Sequence, residues 1–237
     1  SRSHEVHCGR VVLRLPSVYG GSDPPSEAPD VSPLHALERG HPTLGSFNSP
    51  GKITPAVLET WAAILRRLPD ARLVLRYNGI SDPSVADRMA AELARGGVDR
   101  GRVEFLGFTD HAALMAEYNR IDLALDPFPY SGGLTTCEAL WMGVPVVTCP
   151  GQTFASRHTL SHLSNVGFTE SIARDRDQYV EIAVRLLADL PRLAEIRARL
   201  RPQMAASPLC NGKRFAENLL QLLRGVWREW CERSQAS

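Results

Sequence analysis

From Thr43 onward, short runs of aliphatic and β-branched residues alternate with longer stretches whose apolar positions recur at helical spacing. The runs Thr43–Phe47, Arg72–Tyr77, Arg102–Leu106, Asp122–Asp126 and Val144–Cys149 are predicted strands. Between the first two, Val57, Leu58, Trp61, Ile64, Leu65 and Leu68 fall on one helical face. Pro55 suits the first helical position and Thr54 the cap before it. Near-continuously apolar strands alternating with helices imply a parallel sheet covered on both faces. The expected fold is therefore α/β, a doubly wound Rossmann-like sheet. From Asp175 the pattern is helical throughout, broken at Ser207–Gly212, which predicts a helical C-terminal extension.

Ahead of Thr43 the pattern is poor. RVVLRL, Arg10 to Leu15, reads as a strand fragment without a partner, and the segment from there to Pro42 holds six prolines and little periodicity. The expected organisation is a trailing piece of a preceding lobe plus a proline-rich connector over 1–42, a nucleotide-binding Rossmann-like domain over 43–206, and a helical extension over 207–237.

Composition narrows the function classes. Of 237 residues, 43% are hydrophobic and 22% charged, enough for one substantial α/β domain with appendages. A net charge of +1 gives no electrostatic case for nucleic acid or an acidic membrane surface. The cysteines, Cys8, Cys137, Cys149, Cys210 and Cys231, are odd in number and lack CxxC spacing, which fits a reduced, cytoplasmic setting better than a disulfide framework or a zinc site. No apolar run approaches the ~20 residues of a membrane span, and SRSHEVHCGRVVLRLP lacks the apolar core of a signal peptide.

In such sheets ligands sit outside the carboxyl ends of the strands. The stretch GSFNSPGKIT, Gly45–Thr54, follows the first strand and nearly spells a phosphate-binding loop. It has one residue too many between its glycines, and Ile53 stands where a Ser or Thr belongs after Lys52. A second strand leads into GFTDH, Gly107–His111. A third leads into DPFPYSGGLTTCEALWMGVP, where Gly132 and Gly133 allow close backbone approach. There Thr135 and Thr136 add hydroxyls to the free N–H groups of a helix start, and Glu138 lies one turn in. Alone, Gly-Gly-x-Thr-Thr reads first as a capped turn. A nicotinamide dehydrogenase is unsupported, because no GxGxxG follows the first strand. His158 and His162, four apart, have a zinc-compatible spacing but no third ligand nearby, so no metal site is expected. Trp61 and Trp141 are expected in the core.

The pieces RLPSVYG, GSFNSPGKITPAVLETWAAILRRLPDARLVL, LDPFPYSGGLTTCEALWMGVPVVT and SPLCNGKRFAENL occur in an order and spacing that resemble the C-terminal half of the intracellular protein O-GlcNAc transferases, particularly their SPINDLY-like and bacterial branches. Members have two Rossmann-like lobes facing across a cleft, the GT-B arrangement, preceded by tetratricopeptide repeats. The resemblance implies that this chain is the lobe that binds the nucleotide sugar, UDP-GlcNAc or, as in SPINDLY proteins, GDP-fucose. The reaction implied is inverting transfer to a protein or peptide hydroxyl without a metal cofactor. By the same resemblance Lys52 meets the donor diphosphate and stabilises its leaving charge, Thr135 and Thr136 form the turn against it, and Glu138 takes the ribose hydroxyls. Thr109 belongs to the segment that reads the base, and His111 borders the ribose. Ser49 stands where the family usually has Gln or Asn, and Leu134 removes a hydroxyl contact. Arg157 matches a family arginine, with an ion pair or helix cap as the alternative. No catalytic base is identified, the lobe alone is expected to bind nucleotide rather than transfer sugar, and a binding module without catalysis stays open.

Overall fold

The structure, a computed structural model, describes residues 13–235. Five parallel strands form one sheet: β1 (Thr43–Ser46), β2 (Arg72–Arg76), β3 (Val103–Leu106), β4 (Leu123–Leu125) and β5 (Val146–Val147). Their spatial order is β3-β2-β1-β4-β5, so the chain winds outward first on one side of β1 and then on the other. This is the doubly wound, Rossmann-like arrangement expected from the alternating pattern. It places a crevice where the order reverses, between the carboxyl ends of β1 and β4.

The helices are α1 (His35–Arg39), α2 (Pro55–Arg67), α3 (Pro83–Arg95), α4 (His111–Glu117), α5 (Leu134–Trp141), α6 (His158–Val166), α7 (Arg176–Ala188), α8 (Leu190–Ala205) and α9 (Gly212–Gln235). Local chemistry starts most of them. Thr54 caps α2 through the Val57 N–H, with Pro55 as the first helical residue. Asp82, Asp110, Asp175 and Asp189 cap α3, α4, α7 and α8 in the same manner. The apolar face of α2, with Val57, Trp61, Ile64 and Leu65 fully enclosed, joins Leu44, Leu73, Leu75, Leu123 and Leu125 of the sheet in one core. Trp61 Nε1–H donates to Tyr179 Oη at 3.3 Å, and Tyr179 donates in turn to the Asp126 carbonyl at 3.0 Å, which links the core to the end of β4.

Several elements differ from expectation at their edges. The strands are one to four residues shorter than the apolar runs. For β5, Thr148 leaves the ladder to form an isolated bridge with Ile172. Of the expected strand at Arg10–Leu15, Arg10–Val12 lie outside the described residues and Leu13–Leu15 have no regular structure. The connector is not wholly irregular: α1 forms because Leu34 and Ala36 are buried and Gly40 closes the helix at φ 74°. Buried Arg197 of α8 ties the connector down, donating to the carbonyls of Ser32 at 2.8 Å and Ile121 at 2.7 Å. Trp141 is only half-buried, its ring under the Arg201 guanidinium at 5.3 Å. Among the described residues no helix is long and apolar enough to cross a membrane.

Candidate functional site

A cleft of about 530 Å³ opens at the carboxyl ends of β1, β2 and β3, beside the start of α5. Phe47, Asn48 and Ser49 enter it from β1, Arg76 and Tyr77 from β2, and Gly107 to Thr109 from β3. Lys52, Thr135, Glu138 and His111 complete the polar part of the wall. Six of the eight residues singled out from the sequence thus converge: Ser49, Lys52, Thr109, His111, Thr135 and Glu138.

Lys52 sits on the short 3₁₀ turn Pro50–Lys52 that follows β1. Its ammonium donates to the Ser131 carbonyl at 2.9 Å and lies 4.1 Å from the centre of the Tyr130 ring. One of its three protons is thereby engaged, and two are free for an incoming anion. Partial burial lowers its pKa, opposed by the nearby Asp126 carboxylate. The turn that presents Ser131 is fixed from below. Asp126, at the end of β4, accepts from the Gly132 N–H at 2.6 Å and from the Thr148 hydroxyl at 2.6 Å. Gly132 has no room for a side chain, since a Cβ there would lie 2.8 Å from Thr136 Oγ1, 2.9 Å from Thr135 Oγ1 and 3.0 Å from Asp126 Oδ1. Ser131 is pinned on its other side by the Ala155 carbonyl, to which its N–H and hydroxyl both donate at 3.0 Å.

At the start of α5 the two threonines part company. Thr135 faces the cleft, its hydroxyl held at 3.1 Å by Asn48 Oδ1. Thr136 turns inward, with its hydroxyl 2.9 Å from that of Thr159 and its N–H on the Gly133 carbonyl at 3.1 Å. It builds the turn and does not line the cleft. The N–H groups of Leu134 and Thr135 precede the first helical carbonyl that could accept them, which leaves the positive end of α5 facing Lys52's side of the cleft. Glu138, one turn further, is buried and receives His111 Nε2 at 2.9 Å. Tyr118 holds the backbone beneath it through a 3.1 Å hydrogen bond to the Thr135 carbonyl; burial first, then Glu138, keeps that phenol neutral. Arg157 stands apart, exposed at the start of α6, its Nη1 donating to the Gly151 carbonyl at 3.0 Å; its side chain neither caps the helix nor forms an ion pair among the described residues. His158 and His162 lie on α6 without a third ligand, and among the described residues no group of three metal-binding side chains occurs.

The sequence reading passed over Asn48, Arg76 and Asp126. Asn48 and Arg76 carry no signal beyond standing at strand ends. Asp126 does: an acid at a buried strand's carboxyl end, directly before a glycine-rich turn, supplies the acceptor that such a turn's N–H groups need.

The geometry therefore pairs a cation and a helix start at one end of the cleft with a buried carboxylate and an imidazole further along. Residues 43–219 match the model of glycosyl transferase family 41. Over 225 residues the chain is 41% identical to a probable UDP-N-acetylglucosamine–peptide N-acetylglucosaminyltransferase SPINDLY of Petunia hybrida, covering 93% of this chain and 24% of that protein. A UDP-N-acetylglucosamine–peptide N-acetylglucosaminyltransferase of Caenorhabditis elegans is 30% identical over 186 residues, 78% of this chain and 16% of that one. Among solved structures, an O-GlcNAc transferase variant from Thermobaculum terrenum superposes with a TM-score of 0.84 at 39% identity, over 94% of this chain and 42% of the bacterial one. The chain thus spans about a quarter of the plant relative's length and less than half of the bacterial enzyme's. By sequence across about three quarters of its length, and by a fold shared over 94% of it, the chain belongs to glycosyl transferase family 41.

Proposed function

We propose that the cleft holds a nucleoside diphosphate sugar, and that this chain is the donor-binding part of an inverting transferase. The reaction moves N-acetylglucosamine from UDP-N-acetylglucosamine to Ser or Thr hydroxyls of proteins. The observation that carries the reading is the order of groups along one cleft at the carboxyl end of the sheet, beside the start of α5. Lys52 and the amino end of α5 offer positive charge to a diphosphate, and the Glu138–His111 pair lies one helical turn further, where a ribose would follow. Thr109 and the neighbouring backbone then border the base. In the transfer step the bond from the sugar's anomeric carbon to the diphosphate breaks as the acceptor oxygen attacks from the opposite face. The leaving diphosphate gains negative charge, and a preorganised ammonium and helix dipole stabilise it without reorganising. The acceptor side of the reaction, and the group that takes the hydroxyl proton, belong in this reading to the remainder of the enzyme.

Titration of the 237-residue chain with UDP and GDP by calorimetry, in the presence of a metal chelator, tests the reading. Saturable binding of UDP is expected without divalent ions, because Lys52 and the helix start carry the counter-charge. An absolute requirement for magnesium, or no binding of either nucleotide, would sink it. Leu134, 70% exposed on the cleft wall, motivates the GDP arm, since it replaces a potential hydroxyl contact with an apolar one. Tighter binding of GDP would turn the reading toward GDP-fucose as donor.

Glu138 gives a sharper test of orientation. Glu138→Gln keeps the shape but loses a charge-assisted hydrogen bond to ribose, worth about 1.5–3 kcal/mol. UDP affinity should fall by at least about tenfold, while the 2′,3′-dideoxy analogue should bind the variant and the parent alike. Equal losses for both ligands would make Glu138 a fold residue only.

A further inference from the structure

At the opposite end of the sheet lies a second hollow of about 550 Å³, bounded by Thr43, Arg72 and Val103, the first residues of β1, β2 and β3. Strands of this length hold it roughly 15 Å from the cleft. Its lining runs against the chain's near-zero net charge: Arg39, Arg72, Arg100, Arg102 and Arg120 contribute cations, His35 and His41 add imidazoles, and Glu104 is the acid. Three of these arginines are committed. Arg102 donates to the carbonyls of Leu65, Leu68 and Ala71 at 2.7 to 3.0 Å, which closes the end of α2. Arg100 holds the Val103 carbonyl at 2.7 Å, and Arg120 pairs with Glu104 at 3.0 Å and Glu117 at 2.9 Å. Arg39 and Arg72 are different. Both are exposed, and neither side chain has a hydrogen bond or ion pair among the described residues. His41 Nδ1 beside them is buried and has no partner.

We propose that this hollow is a binding site for a small polyanion carrying two or more phosphate groups, separate from the nucleotide cleft. Five guanidinium groups facing a single lining acid repel one another, and an anion seated between Arg39 and Arg72 lowers that repulsion. The planar guanidinium fork suits phosphate oxygens, and the orphaned imidazole nitrogen supplies a further polar contact. The same crowding is visible at His35. Its pKa is lowered by burial, which Asp122 opposes, and Arg39, Arg120 and His41 each add to the lowering. Buried Asp122 is not part of the hollow's wall; its two oxygens accept the N–H groups of Ala36 at 2.9 Å and Thr43 at 2.8 Å. The volume accommodates a tripolyphosphate-sized ligand, and the site needs no nucleoside.

Calorimetric titration of the 237-residue chain with inorganic tripolyphosphate is the test, performed also on Lys52→Ala so that the cleft is silenced. One tripolyphosphate per chain is expected with Lys52→Ala, at an affinity that falls as salt rises. The double substitution Arg39→Ala/Arg72→Ala should weaken that binding by about tenfold or more. Its thermal midpoint without ligand should stay close to the parent's, since neither side chain has a partner to lose. Unchanged affinity in the double variant overturns the proposal. So does the absence of saturable binding in the parent, or binding abolished by Lys52→Ala alone.

Discussion

Replacing Lys52 by alanine should lower the affinity of this chain for UDP by roughly a hundredfold and leave its affinity for uridine nearly unchanged. The reasoning begins with where the ammonium stands. It is partly withdrawn from water, anchored by the Ser131 carbonyl at 2.9 Å and flanked by the Tyr130 ring. An ion already oriented and partly desolvated loses little on meeting a diphosphate, so most of its Coulomb attraction survives as binding. Removing one preorganised charge of this type costs about 3 kcal/mol in the transition state of the reactions where it has been measured. In the complete enzyme the same substitution should lower the rate by at least as large a factor, because charge on the leaving diphosphate grows as the glycosidic bond breaks. Lys52→Arg should recover little, since the longer planar fork cannot occupy the slot between Ser131 and Tyr130 without displacing one of them. Parallel titrations of UDP and uridine decide the matter. Equal losses for both would show that Lys52 holds the turn together and does not meet phosphate.

How much of this was legible beforehand follows from how local each determinant is. Thr54 and Pro55 announce α2 because capping is chemistry between neighbours, and the helix begins where they place it. The strands are legible because burial on both faces leaves an almost unbroken apolar run, although the runs overreach the ladders by a residue or more at the ends. Periodicity needs length, so α1, with only five residues and two buried apolar anchors around it, leaves no trace in the pattern. Lys52 and Glu138 stand out by their places after strand ends, the resemblance adds their roles, and the structure brings both to one cleft. Thr135 and Thr136 look equivalent in sequence. A helix separates adjacent residues by about 100° around its axis, so one hydroxyl reaches Asn48 in the cleft while the other meets Thr159 inside. Nothing in the dipeptide says which is which, since that depends on how α5 is rotated against α6.

Substituting Asp126 by asparagine should change the shape of the stability curve with pH more than its height. Burial pushes the Asp126 carboxyl up to about 7, although hydrogen bonds from Thr148 and Gly132 pull the other way. Folding therefore raises this group's pKa above its unfolded value of roughly 3.9. Between those two values the folded state holds a proton that the unfolded state has released. Its contribution to stability is complete below about pH 4 and is lost as pH rises toward 7, by an amount of about 4 kcal/mol. His162 works in the opposite direction. Burial lowers its pKa to about 4, so the folded imidazole stays neutral where the unfolded one is charged. Stability from that source grows by about 3 kcal/mol as pH rises from 4 to 6.5. In the parent chain these two slopes oppose each other across this window, and urea midpoints should rise less from pH 4 to 6.5 than in the variant. In Asp126→Asn the falling slope is gone, while the rising ones of His162, His35 and His158, all lowered by burial, remain, so the midpoint should climb over the same window and then level off. The asparagine carbonyl can still accept the Gly132 N–H, and its amide can donate to the Thr148 hydroxyl, so the turn keeps its shape. Parallel curves for parent and variant would mean that Asp126 titrates as an ordinary carboxylate. The expected divergence would explain why an acid is kept where a neutral amide fits. Above pH 7 the ionised carboxylate opposes the lowering of the Lys52 pKa by burial, behind the site where a diphosphate would sit.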